Sequence, residues 1–195
     1  MPEKRYIFSK FQHYFAPKKT MNPHHRRSIR LKEYDYSQPG EYFVTICTYN
    51  HDCTLGEIVE GEMRLNENGK IVEKFWGQIS RHFINVELDQ FVVMPNHLHG
   101  ILTINEPVGV QNFEPLQNTY QHTVSKSLGS IIRSYKAAVT HECRKYKYYD
   151  FRWQRNYYEH IIRNDNELNN IRDYIRNNVA QWAFDKDNPN NIPLW

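Results

Sequence analysis

The stretch from Val86 to Ile104 constrains this chain more than any other. It holds two apolar, β-type runs, Val86–Met94 and His97–Ile104, broken only by Pro95-Asn96. Such a short, hairpin-type connection argues for an antiparallel sheet. The second run opens with His97-Leu98-His99. Alternation along a strand sends both imidazoles to one face and Leu98 to the other. Two imidazoles side by side are a ready part of a divalent metal site. Half-buried histidines bonded to backbone would give the same spacing. Apolar Leu98, Ile101 and Leu102 tilt the reading toward a rigid element that holds the pair in place. A third donor must then come from elsewhere in the fold.

Around this pair the chain alternates strand and helix patterns. Glu41–Tyr49 is rich in β-branched and aromatic residues and follows the turn signal Gln38-Pro39-Gly40, so it reads as a strand. Leu55–Val59 and Glu62–Leu65 flank Glu60-Gly61 as a short hairpin. Ile71, Phe75 and Ile79 give helical spacing over Gly69–His82. Val124, Leu128, Ile131, Tyr135, Val139 and Cys143 mark a second helix, in which Tyr135 falls in the apolar stripe. Tyr157–Arg163 reads as a strand, with one of Tyr157 and Tyr158 facing inward and one outward. A last helix is expected from Asp165 to Trp182, with Asn164 as N-cap and Glu167 completing a capping-box pattern. The order implies an α+β fold, an antiparallel sheet with helices packed against it. Residues 104–123 read as a long loop. Residues 1–25 read as a basic N-terminal extension, 26–184 as one domain and 185–195 as a loosely attached C-terminal tail.

A chain of 195 residues fits one such domain, and 14% aromatic residues suffice for a core despite a mean hydropathy of −0.80. No apolar run approaches the ~20 residues that span a bilayer. The three cysteines, Cys47, Cys53 and Cys143, form no CxxC, so a disulfide framework is not expected and a cytoplasmic location is the default. Net charge is only +3, but residues 1–36 hold nine Lys/Arg against three acids, or +6. Lys126 to Arg155 adds eight Lys/Arg against Glu142 and Asp150, interleaved with six Tyr, Phe and Trp residues. Cations neutralise phosphates and aromatic faces stack on bases, so the mixture suits single-stranded nucleic acid. A solvated helix and tail would read the same way.

With these segments together, the chain resembles a known family. His97-Leu98-His99 looks like the His-hydrophobic-His signature of HUH endonucleases, whose fold is ferredoxin- or RRM-like. More closely, the chain resembles the REP-associated tyrosine transposases, a branch of the IS200-like single-tyrosine transposases. The matching segments are Arg26–Leu31, Tyr34-Asp35-Tyr36, Gly40–Thr48, Val92–Gly100, Trp153–Arg163 and Ile171–Asn178. Related insertion-sequence enzymes commonly carry Gln where Asn178 stands, whereas the REP-associated branch has Asn. Many members have Pro at the next position, where this chain has Val179. Residues 1–25 have no counterpart in the resemblance, and no accessory domain for target choice is expected from these residues.

The resemblance implies a site. Tyr174 would be the nucleophile, and His97, His99 and Asn178 would hold one Mg2+ or Mn2+. Tyr174 and Asn178 are four apart, hence on one helix face. They lie ~80–100° round from the stripe of Leu168, Ile171, Ile175, Val179 and Trp182, on a flank expected to stay open to solvent. The implied reaction cleaves and rejoins hairpin-marked single-stranded DNA through a 5′-phosphotyrosine link, by a monomer or homodimer. Arg26, Arg27, Arg30, Lys126, Arg133, Lys136, Arg144, Arg152 and Arg155 are candidate phosphate contacts, and His160 a candidate neighbour of the site. Two other readings stay open. One is a hydrolase with a carboxylate as third metal ligand. The other is a non-catalytic single-stranded nucleic-acid-binding module on an RRM-like sheet, although the RRM glycine-aromatic signature is missing.

Overall fold

The computed structural model describes residues 34–106, 127–148 and 150–191. Its elements are β1 (Gly40–Cys47), β2 (Gly56–Val59), β3 (Glu62–Leu65), α1 (Glu67–Trp76), α2 (Ile79–His82), β4 (Val86–Val93), β5 (His97–Ile104), α3 (Leu128–Lys145), β6 (Tyr158–Ile162) and α4 (Asp165–Asn177). The main sheet has the order β4-β5-β1-β6, and every neighbouring pair is antiparallel. β2 and β3 form a separate hairpin. Among the described residues, no helix is long and apolar enough to cross a membrane.

Helices cover the sheet on both faces. On one face Tyr42, Val44, Ile46, Leu98 and Leu102 pack against Ile71, Val72 and Trp76 of α1 and Leu128, Ile131, Ile132, Tyr135 and Val139 of α3. On the other, Phe43, Ile101 and Ile162 pack against Leu168, Ile171 and Ile175 of α4. The two central strands are therefore buried on both sides, which is why β1 and β5 read as nearly continuous apolar runs. Tyr135 is core, as its stripe predicts: its hydroxyl donates to the Val72 carbonyl at 3.1 Å. Tyr157 packs against the first cluster and Tyr158 against the second. Neither faces outward, because the sheet has no open face at that point.

Caps set the helix starts. Asn66 accepts from the Gly69 amide for α1, Ser127 from Ser130 for α3 and Asn164 from Glu167 for α4. The expected helix over Gly69–His82 is two helices, because α1 ends at Gly77 and α2 starts afresh at Ile79. The last helix stops at Asn177 rather than Trp182, and Val179–Phe184 continues as a 3-10 helix. That tightening takes Val179 and Trp182 out of the apolar stripe. The segment from Asp185 is not loose either. Asp185 is buried, Asn188 donates to the Trp182 carbonyl at 2.9 Å, and the Asp187 carbonyl accepts from Asn96 at 2.6 Å.

An ion pair and a side-chain hydrogen bond fix α4 over the sheet. Arg172 meets Asp89 of β4 at 2.7 Å, and Glu167 meets His160 of β6 at 2.7 Å. Glu167 also accepts from the Arg163 amide at 2.9 Å, so one carboxylate joins strand end and helix start. A β-bulge between Leu88 and Phe91 keeps Val86, Leu88, Phe91 and Val93 packed with the first cluster despite the odd spacing.

Candidate active site

β5 presents His97 and His99 on the α4 face, as the strand period requires. Both are fully buried. Register pairs Thr45 with His99 and Cys47 with His97 across β1. The rings lie 4.4 Å apart between centroids, and Phe43 stacks on His99 at 5.3 Å. Thr45 Oγ1 holds His99 Nδ1 at 2.8 Å, and Asn96 Oδ1 holds His97 Nδ1 at 2.8 Å. Only the two Nε2 atoms are left to face the site.

α4 brings Tyr174 over this pair. Its hydroxyl lies 3.1 Å from His99 Nε2, and its ring meets His99 and Phe43 edge-on at 5.2 and 6.1 Å. The Asn178 side chain lies beside the same hydroxyl and favours its ionised form. Tyr174 is half-buried and packed against the α4-side core, not open to solvent as its flank position suggested. Burial first, then the Asp185 carboxylate, push its phenol far above the usual tyrosine range, and the Asn178 side chain opposes them. Trp182 approaches His97 at 6.1 Å and closes the side beyond α4.

Two buried polar atoms here, His97 Nε2 and Asn178 Oδ1, have no hydrogen-bond partner among the described residues. A buried polar atom without a partner costs stability, so this pair fits donors meant for a ligand. With His99 Nε2 they make two imidazole nitrogens and one amide oxygen, a set that suits a borderline divalent cation such as Mn2+ better than Mg2+. Among the described residues no group of three or more His, Cys, Asp or Glu is placed to hold a metal ion. Beside the pair, Asn178 Oδ1 is the unpartnered oxygen, and the buried Asp185 carboxylate acts on His97 through its charge.

Burial also holds both imidazoles below the ordinary histidine range. His99 sits the lower, with charge on His97 and Lys186 adding to the effect, whereas Asp185 and Asp187 partly offset it at His97. Neutral imidazoles are what metal ligation requires. Unfolded, each would titrate near ~6.5. Below that pH the unfolded chain takes up protons that the folded chain refuses. Stability is thus fully present above ~6.5 and is lost as pH falls through and below that value. The urea midpoint should drop between about pH 7.5 and about pH 5, and His99→Gln should flatten the fall.

The remaining candidates scatter. Arg26, Arg27, Arg30 and Lys126 lie outside the described residues. Arg133, Arg144, Arg152 and Arg155 are exposed, and Arg152 lies over the Tyr49 ring at 5.3 Å. Lys136 is not a free cation: its Nζ donates to the carbonyls of Gln154 and Arg155 at 2.5 and 3.3 Å, and burial pulls its ammonium down to about 8. His160 pairs with Phe43 across β1 and bonds Glu167 near the start of α4 at 2.7 Å. Sequence reasoning missed Asn96, Asp185 and Cys47. Asn96 was legible only as half of a strand break, and Asp185 sat in a run that looks like a solvated tail. Cys47 pairs with His97, but burial raises its thiol to about 12, so it stays protonated.

No family model matches the chain. An uncharacterized protein of Haemophilus influenzae is 46% identical over 167 residues, which cover 84% of this chain and 93% of that protein. Among solved structures, a REP-associated tyrosine transposase bound to a REP hairpin matches with a TM-score of 0.55 at 22% identity, over 80% of this chain and 74% of that one. The chain therefore belongs to one family with the Haemophilus influenzae protein, and it has the fold of the REP-associated tyrosine transposases that its motifs resemble.

Proposed function

We propose that the chain cuts and rejoins hairpin-marked single-stranded DNA through a covalent bond between Tyr174 and a 5′ phosphate. The observation that carries this is the Tyr174 hydroxyl at 3.1 Å from His99 Nε2, within one chain and on the face that also holds His97. The fold likeness supports it, since the solved structure with this fold is bound to a REP hairpin. His97, His99 and Asn178 would hold one Mn2+ or Mg2+. Such a cation supplies charge that neutralises the phosphate and eases ionisation of the phenol.

The chain's own residues do the positioning. Thr45 ties down His99 Nδ1, so its Nε2 is the nitrogen that serves the site. A ring nitrogen that ligates a cation has no lone pair left, so ligation there and the Tyr174 hydrogen bond would exclude each other. With His99 holding a cation, the Tyr174 phenol would be left to meet a phosphate. In the reaction Tyr174 Oη bonds to phosphorus as the phosphorus–O3′ bond breaks. The phenol gives up a proton and the leaving 3′ oxygen takes one up. One phosphodiester replaces another, so a second 3′-OH can reverse the attack and rejoin the strand without ATP.

The RRM-like binding module needs an open sheet face with exposed aromatics. Here Tyr42 and Phe43 of β1 are fully buried, one under each helical layer. That arrangement favours the catalytic reading. With Mn2+ and single-stranded oligonucleotides copied from palindromes flanking its gene, the protein should leave a covalent protein–DNA adduct on a denaturing gel. Tight binding with no adduct in any divalent metal would favour the binding module instead.

A further inference from the structure

The β4–β5 turn is buried, although turns usually lie at the surface. Asn96, within it, has no exposed surface. Its side-chain amide donates both hydrogens to backbone carbonyls, to His51 at 2.8 Å and to Asp187 at 2.6 Å. Carbonyls accept and never donate, so this fixes which end of the amide is nitrogen. The other end must be oxygen, and it lies 2.8 Å from His97 Nδ1. An amide oxygen can only accept. Nδ1 must therefore carry the hydrogen, and in a neutral ring the lone pair then sits on Nε2. That Nε2 is one of the buried atoms without a hydrogen-bond partner among the described residues. The Asn96 backbone is held as well, since its carbonyl accepts from the Thr48 amide at 2.9 Å.

We infer that Asn96 is a positioning residue that locks His97 in the Nδ1–H tautomer and so presents the Nε2 lone pair to a divalent cation. The inference rests on the reading of His97 as a metal ligand. It adds that three distant segments, the His51 turn, the β4–β5 turn and the docked Asp187 segment, meet at one amide to set it. A turn residue that only stapled loops together would give no preference between the two ring nitrogens.

The tautomer is read directly by nitrogen-15 NMR of the metal-free protein, without any variant. His97 should show a protonated Nδ1 and a bare Nε2. A protonated Nε2 in the wild type would overturn the inference outright. Asn96→Asp keeps an accepting oxygen beside Nδ1 and should keep the tautomer. Asn96→Ala should release it, and affinity for Mn2+, followed by its EPR signal, should fall by about 10–100-fold. An unchanged tautomer and affinity in Asn96→Ala would also overturn it. If the alanine variant fails to fold, the wild-type and aspartate spectra still decide. A covalent adduct from a wild type whose His97 is protonated at Nε2 would refute the lock and leave the reaction standing. The expected tautomer without any adduct would support the lock and remove the reaction.

Discussion

Tyr174→Phe is expected to abolish the protein–DNA adduct while leaving single-stranded DNA binding within about twofold of wild type. Phenylalanine keeps the ring that packs on Phe43 and His99 and removes only the hydroxyl. The loss should be complete rather than partial. Water acting in place of the phenol cuts the strand but cannot leave protein attached to it. The variant also takes the Tyr174 hydroxyl away from His99 Nε2, so it should be less stable by roughly 1–3 kcal/mol, the range for a buried polar group left unpaired. Its circular dichroism spectrum should match wild type, which separates lost chemistry from lost folding. An adduct surviving at wild-type yield would move the nucleophile elsewhere.

Gly100→Ala should be the most damaging single methyl group in the sheet. Gly100 follows His99 on β5 and faces the opposite layer. A Cβ there would lie 2.3 Å from Cζ2 of Trp76 and 2.8 Å from its Cε2. Trp76 is fully buried, edge-on to Tyr135 at 5.4 Å, so it cannot step aside without repacking α1 against α3. Overpacking of this kind costs about 3 kcal/mol. At roughly 2–4 °C per kcal/mol, thermal unfolding should move down by roughly 6–12 °C. Trp76→Phe removes the ring atoms that collide. The double variant should therefore lose less than the sum of the two single losses. Equal additivity would place the strain elsewhere.

What could be seen in advance divides along physical lines. The imidazole pair on one face follows from the two-residue period of a strand, and the core stripe of α3 from helical periodicity. Tyr174 could not be picked from 14 tyrosines by spacing, and only the resemblance singled it out. The end of α4 was missed because Val179 carries no stop signal where a proline would have supplied one. The bulge between Leu88 and Phe91 shifts strand parity, and no local pattern announces it. Asp185-Lys186-Asp187-Asn188 has the composition of a solvated tail, yet its docking involves Asn96, 91 residues before Asp187. Long-range partners of this kind are decided by tertiary packing, which leaves no trace in a sequence window.

The clipping of α4 at both of its neighbours has a consequence for stoichiometry. Arg172 grips Asp89 on one edge strand and Glu167 grips His160 on the other, so the helix bearing the hydroxyl straddles its own sheet. On the proposed reaction, each polypeptide would then carry Tyr174, His97, His99 and Asn178 together. Two inactive partners, one lacking Tyr174 and one lacking His97, should stay inactive when mixed, and initial rates should scale with the first power of protein concentration. Genetic rescue between the two alleles would mean that the helix changes owners.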